Sequence, residues 1–110
     1  MRRLRASEAS GTQRQLVSAR PRYCATCKRE TALTFHHLIP RKVQRRRFFQ
    51  RSFDRLELQR GIFVCRPCHV GIHRRFDEMT LGKHYNELDA LQSDAILCRH
   101  FAWVARQKFG

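Results

Sequence analysis

Acidic side chains are scarce in this chain. Nine Asp and Glu residues stand against 23 Lys and Arg in 110 residues, a formal net charge of +14. No run of about 18 apolar residues occurs, which excludes a membrane-spanning helix. The first residues carry no apolar segment behind their basic start, which argues against a secretory leader. Arg2, Arg3 and Arg5 with Ser7, Ser10 and Ser18 faintly resemble an organelle-targeting leader, but Glu8 and the lack of an amphipathic stripe weigh against it. There is no internal repeat and, apart from the arginines, no low-complexity tract. Apolar residues reach 42% of the chain but are sparse in the first 22 residues. A core this small with this much charge calls for a metal or disulfide staple.

Lysine is scarce as well: 19 of the 23 basic residues are arginine, whose planar donor fork matches phosphate. The charge therefore points to a nucleic-acid partner and away from membranes, without by itself separating DNA from RNA. A ribosome-associated or merely soluble basic protein is the competing reading.

Residues 1–22 read as a basic flexible arm and residues 23–110 as one domain, with a motif core over 23–76 and C-terminal helices over 81–108. Thr31 to His37 is expected to form a strand ended by Pro40, and Gly61 to Val64 a second one. The connection over 41–60 holds Arg41, Lys42, Arg45, Arg46, Arg47, Arg51, Arg55 and Arg60, with Phe48, Phe49 and Phe53 between them. A short helix capped by Ser52 is expected there, with Phe48 and Phe49 anchoring it to the core in preference to stacking on unpaired bases. A helix should follow Cys68 through His69, Ile72, His73 and Phe76. Leu81–Leu91 and Asp94–Lys108 read as two further helices.

Five cysteines are present, four of them in two C-x-x-C pairs, Cys24/Cys27 and Cys65/Cys68, with 37 residues between the pairs. Four thiolates from two such turns meet the tetrahedral demand of zinc and leave no open position, as in a structural site. A thioredoxin-like redox pair needs a βαβ context and only one C-x-x-C. Disulfides need an oxidising compartment, so a reducing, cytoplasmic setting is expected. Cys98, on the last helix, is expected to be a small buried hydrophobe.

Four of six histidines follow these pairs: His36 and His37 after the first, His69 and His73 after the second. On a helix, His69 and His73 face the same side and can share a cation. His84 and His100 belong to no motif and read as ordinary helix residues.

Cys24-x-x-Cys27, then His36-His37-Leu38-Ile39-Pro40, then Cys65-x-x-Cys68-His69-x-x-Ile72-His73 resembles the cysteine-containing branch of the HNH endonucleases over residues 23–76. The resemblance implies an α+β fold: a small zinc-stapled ββα-metal core with additional C-terminal helices. It implies His37 as the general base and His36, His69 and His73 as ligands of one catalytic divalent cation (Mg2+, Mn2+, Ni2+ or Zn2+). It further implies hydrolysis of phosphodiester bonds to a 5′-phosphate and a 3′-hydroxyl. Imidazole titrates near neutrality, so the base assignment is chemically coherent.

One departure stands out: the family's central asparagine falls on Arg60, beside Gln59. The only asparagine in the chain is Asn86. Gln59 supplying the amide, Arg60 contacting phosphate, and loss of catalysis are the three readings of that change. Phosphate contacts are expected from Arg41, Arg45, Arg46, Arg47, Arg51, Arg60, Arg74 and Arg75, giving salt-sensitive binding with little sequence preference. The alternative to a DNA endonuclease is a non-catalytic zinc-containing nucleic-acid-binding module. The sequence carries no signal of oligomeric state.

Overall fold

The computed structural model describes residues 21–108. The arm expected over 1–22 lies outside the described residues except for Pro21 and Arg22. Arg22 is tied to the domain by an ion pair to Glu30 at 2.6 Å.

The fold is a mixed α+β domain. Strands β1 (Leu33–His37) and β2 (Gly61–Cys65) pair antiparallel, with Leu33 opposite Cys65 and His37 opposite Gly61. Between them run α1 (Arg41–Gln44), α2 (Arg47–Ser52) and α3 (Arg55–Leu58). After them come α4 (Arg66–Arg75), α5 (Glu78–His84), α6 (Leu88–Ser93) and α7 (Ala95–Ala105). No helix among the described residues is long and apolar enough to cross a membrane.

The 41–60 connection differs from expectation in holding three short helices, and Ser52 ends α2 and caps nothing. The cap belongs to Asp54, which accepts from the Glu57 amide at 2.8 Å while Glu57 accepts from the Asp54 amide at 2.9 Å. This reciprocal box satisfies two orphan amides, which Ser52 could not do with Arg55 three residues on. Leu81–Leu91 is likewise two helices. α5 stops at Tyr85, whose ring stacks on Phe76 at 4.0 Å, and the Asn86 amide donates to the Gly82 carbonyl at 2.8 Å. The apolar spacing misleads here because Leu81 and Leu91 reach the same core from separate helices. α7 ends at Ala105, short of Lys108.

Two apolar clusters hold these elements. The larger joins Val64, Ile72, Leu81, Leu91, Leu97, Phe101 and Val104 to the four C-x-x-C cysteines. The smaller, Ile39, Val43, Phe49 and Leu58, lies under the 41–60 connection. Phe49 anchors it as expected. Phe48 does not: it stays 47% exposed, with the Lys83 ammonium 4.7 Å above its ring. Neighbours on a short helix diverge by about 100°, so one phenylalanine of the pair must face outward. The same geometry corrects Cys98. α7 buries Leu97, Phe101 and Val104 and turns Cys98 to the exposed side.

α7 packs on α4 through a close fit. His100 Nε2 meets the Pro67 carbonyl at 3.0 Å, and a Cβ on Gly71 would lie 2.3 Å from that ring. Asp94 locks the pair: it caps α7 through the Leu97 amide at 3.0 Å and takes two hydrogen bonds from Arg75 at 3.0 and 3.1 Å. The Arg75 contact, followed by the amide bond, holds the Asp94 carboxyl below the usual carboxylate range. Its folded pKa lies below its unfolded one, so its stabilisation is present above the unfolded value and is lost as pH falls through the folded one. Asp94→Ala should lower stability by about 1–2 kcal/mol at pH 7 in denaturant titrations. The gap to the unaltered chain should close as pH drops below the carboxylate range.

Candidate metal centres

The four cysteines meet where β2 becomes α4. Cys65 is the last residue of β2 and the N-cap of α4, and Cys68 lies in the first turn of that helix. Cys24 and Cys27 come from a turn that the Ala25 amide pins to β2 by donating to the Phe63 carbonyl at 2.9 Å. Lys28 closes this turn in the left-handed region at φ 69°, with its amide donating to the Cys24 carbonyl at 3.0 Å. All four thiols are buried and their sulfurs lie within 4.8 Å of one another.

Cys27 Sγ and Cys65 Sγ are 3.7 Å apart. A disulfide needs about 2.0 Å. A tetrahedron with zinc–sulfur bonds of about 2.3 Å has edges of about 3.8 Å, so the spacing suits zinc. Cys24 Sγ also accepts amide hydrogen bonds from Cys27 at 3.4 Å and Cys65 at 3.3 Å. The Cys68 thiol, with these amides and Thr26, holds Cys24 down at about 3 against burial. The same hydrogen bond and burial push Cys68 up, and burial raises Cys65 to about 11. One thiolate is thus accommodated unaided, and a divalent cation is what would let all four ionise together. The cluster fits a structural zinc.

A second cluster lies on the outer side of the same helix. Side chains alternate along β1, so Thr34 and His36 turn toward α4 while Phe35 and His37 turn away. Phe35 packs edge-on against His37 at 4.9 Å and Phe63 at 5.1 Å. Its ring crosses β2 where a Cβ on Gly61 would lie 2.2 Å away, so that position requires glycine. On α4, His69 and His73 are one turn apart. The ring centroids of His36, His69 and His73 are 5.0–5.3 Å apart, and one nitrogen from each falls within 4.8 Å of the others.

His36 is fully buried, and neither ring nitrogen has a hydrogen-bond partner. An unpaired buried polar atom costs about 1–3 kcal/mol, and such atoms in folded proteins commonly mark an ion. Burial, then the adjacent His69, His73 and His37, holds His36 down at about 3, so its ring is neutral and can offer a lone pair. The donor set suits a divalent transition metal.

Thr34 orients the cluster. Its hydroxyl donates to the Val64 carbonyl at 3.0 Å, so the same oxygen must accept from His69 Nδ1–H at 2.9 Å. His69 Nε2 is then the nitrogen with a lone pair, the state a ligand needs. Neither Thr34 nor its partner at Val64 is legible in the sequence as part of a site. Only the cross-strand pairing of these two residues in the sheet register could have suggested it.

His37 opens onto a groove of about 310 Å³ lined also by His69, His73, Phe35, Arg41, Lys42 and one carboxylate, Glu78. Burial, then Arg41, holds His37 below the ordinary imidazole range. Of the arginines singled out from the sequence, Arg41 lines this groove and Arg74 lines the neighbouring one. Arg45, Arg46, Arg47 and Arg51 are exposed along α1 and α2 and line neither. Arg60 pairs with Glu87 at 3.7 Å and Arg75 with Asp94 at 3.0 Å.

The chain beyond His37 is held by Gln44. Its amide donates to the Ile39 and Leu58 carbonyls, both at 2.7 Å, tying the start of the 41–60 connection to its end. The Leu38 amide adds a bond to the Arg60 carbonyl at 3.1 Å. Gln59, by contrast, is exposed and makes no side-chain hydrogen bond among the described residues. Comparison with known proteins gives no match to a family model, a curated protein or a solved structure.

Removing zinc with a strong chelator should abolish the cooperative thermal transition, and Cys68→Ser should do the same. The exposed Cys98→Ser should shift Tm by less than about 3 °C. Thr34→Val should leave His69 in mixed tautomers by 15N NMR. It should also weaken cobalt(II) binding at the three histidines by about 10–100-fold, with Thr34→Ser restoring both.

Proposed function

We propose that this chain is a metal-dependent endonuclease of the HNH type that hydrolyses phosphodiester bonds in DNA. The observation that carries the reading is the buried, unpartnered His36 grouped with His69 and His73 beside a groove that also holds His37 and two cations. A divalent cation at the three histidines would neutralise charge developing on the phosphate and on the departing 3′ oxygen. His37 takes the proton from the attacking water, working from the groove side of β1. Arg41 and Lys42 hold phosphate oxygens against that side. Thr34 keeps His69 in the tautomer that leaves its Nε2 free.

The loop after His37 must stay fixed for this arrangement to work. In the resembling family an asparagine helps to hold it. Here the Gln44 amide bridges Ile39 and Leu58, which supports an intact loop despite arginine at the family's position. Neither Gln59 nor Arg60 is needed for that task.

The second reading is a zinc-containing nucleic-acid-binding module without catalysis. Arg60, committed to Glu87 and to the Glu57 carbonyl, is the feature that favours it. Metal stoichiometry separates the two: the nuclease binds a second, exchangeable cation besides zinc, and the module binds zinc alone.

Purified protein should nick supercoiled plasmid with magnesium, manganese or nickel. His37→Ala should lower the rate by about 10²–10⁴-fold with zinc content unchanged. Equal nicking by the two proteins would remove His37 as the base.

A further inference from the structure

The groove containing His37 covers only one side of the histidine pair. A second groove of about 400 Å³ opens on the other side, lined by Thr34, Arg66, His69, Val70, His73 and Arg74. His69 and His73 belong to both grooves and so form a ridge between them.

Helical geometry explains the second groove. Arg66, His69, Val70, His73 and Arg74 recur at three- and four-residue spacing and share one face of α4. The opposite face is taken by Cys68 and Ile72 in the core. Arg66 and Arg74 are eight residues apart, about 12 Å along the axis, and the two histidines lie between them. By contrast, Arg75 on the same helix is matched with Asp94. Among the described residues, Arg66 and Arg74 have no ion-pair partner. Two exposed guanidinium groups without an ion-pair partner, flanking a histidine ridge, suit an anion with more than one charged centre along its length.

We infer that this second groove is a phosphate-binding wall, in which Arg66 and Arg74 hold the backbone of a polynucleotide strand on the side of the ridge opposite Arg41 and Lys42. The inference rests on the endonuclease reading and extends it. The strand is gripped on both flanks of the phosphate that sits at His69 and His73. Arg66 enters the site by this argument alone. A backbone held on two sides resists sliding, so the scissile phosphate is positioned by its neighbours.

The test is oligonucleotide binding by fluorescence anisotropy over a salt series, using the zinc-loaded full chain. R66Q/R74Q should weaken binding about tenfold or more at 100 mM salt and reduce the log–log salt slope by about 1.5. Zinc content, Tm and cobalt(II) binding should stay at the unaltered values. R99Q/R106Q removes two exposed charges from α7 and its C-cap and should change affinity less than about threefold. Equal weakening by the two double variants would reduce the effect to net charge and overturn the groove. So would inorganic phosphate binding as tightly as the oligonucleotide. If the unaltered chain nicks plasmid and R66Q/R74Q binds as well as it does, the groove falls alone. If the unaltered chain binds no oligonucleotide, the groove and the endonuclease reading fall together.

Discussion

Cys27 and Cys65 place their sulfurs 3.7 Å apart although 38 positions separate them in sequence, and Cys24 and Cys68 complete the knot. This contact sets the angle at which α4 leaves β2. The helix starts on a cysteine, carries another in its first turn, and turns His69 and His73 outward from the next positions round. His36 is delivered by the paired strand, whose register is fixed from Leu33–Cys65 to His37–Gly61. The distance between His36 and the α4 histidines is therefore a consequence of where the cysteines hold the helix.

The remaining restraints on α4 act at both its ends and along its inner face. Arg75 and Asp94 join its last turn to the cap of α7, and His100 closes over Gly71 to reach the Pro67 carbonyl. The apolar cluster runs continuously from the cysteines through Ile72 to Phe101 and Val104. A domain of this size buries limited apolar area, so an ion-paired cap carries weight that a larger core would carry by packing, and a zinc held by the four cysteines would add to it.

Charge is distributed in two ways. Arg22, Arg60 and Arg75 are matched with carboxylates and serve the fold. Arg41 and Lys42 on one side of the histidine ridge, and Arg66 and Arg74 on the other, face open grooves. With nine acidic residues against 23 Lys and Arg, most basic side chains cannot be matched one to one. Arg41 and Lys42 share their groove with the carboxylate of Glu78, whereas no acid stands among the residues lining the groove of Arg66 and Arg74.

Much of the site was legible from residue order. Two C-x-x-C pairs, a His-His pair and a His-x-x-x-His helix state their chemistry by spacing, because ligand geometry is local and repeats along the chain. The two strands and the helix carrying His69 and His73 followed from the same local patterns. Local patterns failed where packing decided the outcome. Phe48 and Phe49 look equivalent in sequence, yet one is core and one is surface. Leu81 to Leu91 keeps helical spacing across a break made by Tyr85 and Asn86. Cys98 faces outward because α7 buries the neighbouring turn. The roles of Thr34, Gln44 and Arg66 are tertiary as well: each depends on a partner or groove brought in from a distant segment. The sequence by itself determined which side chains could hold metal, since that depends on donor type and short spacing. Only the tertiary structure decided that His36 is buried without a partner, which nitrogen of His69 is free, and which arginines lack an acid. Those are properties of what surrounds a residue, and the chain's order does not specify its surroundings.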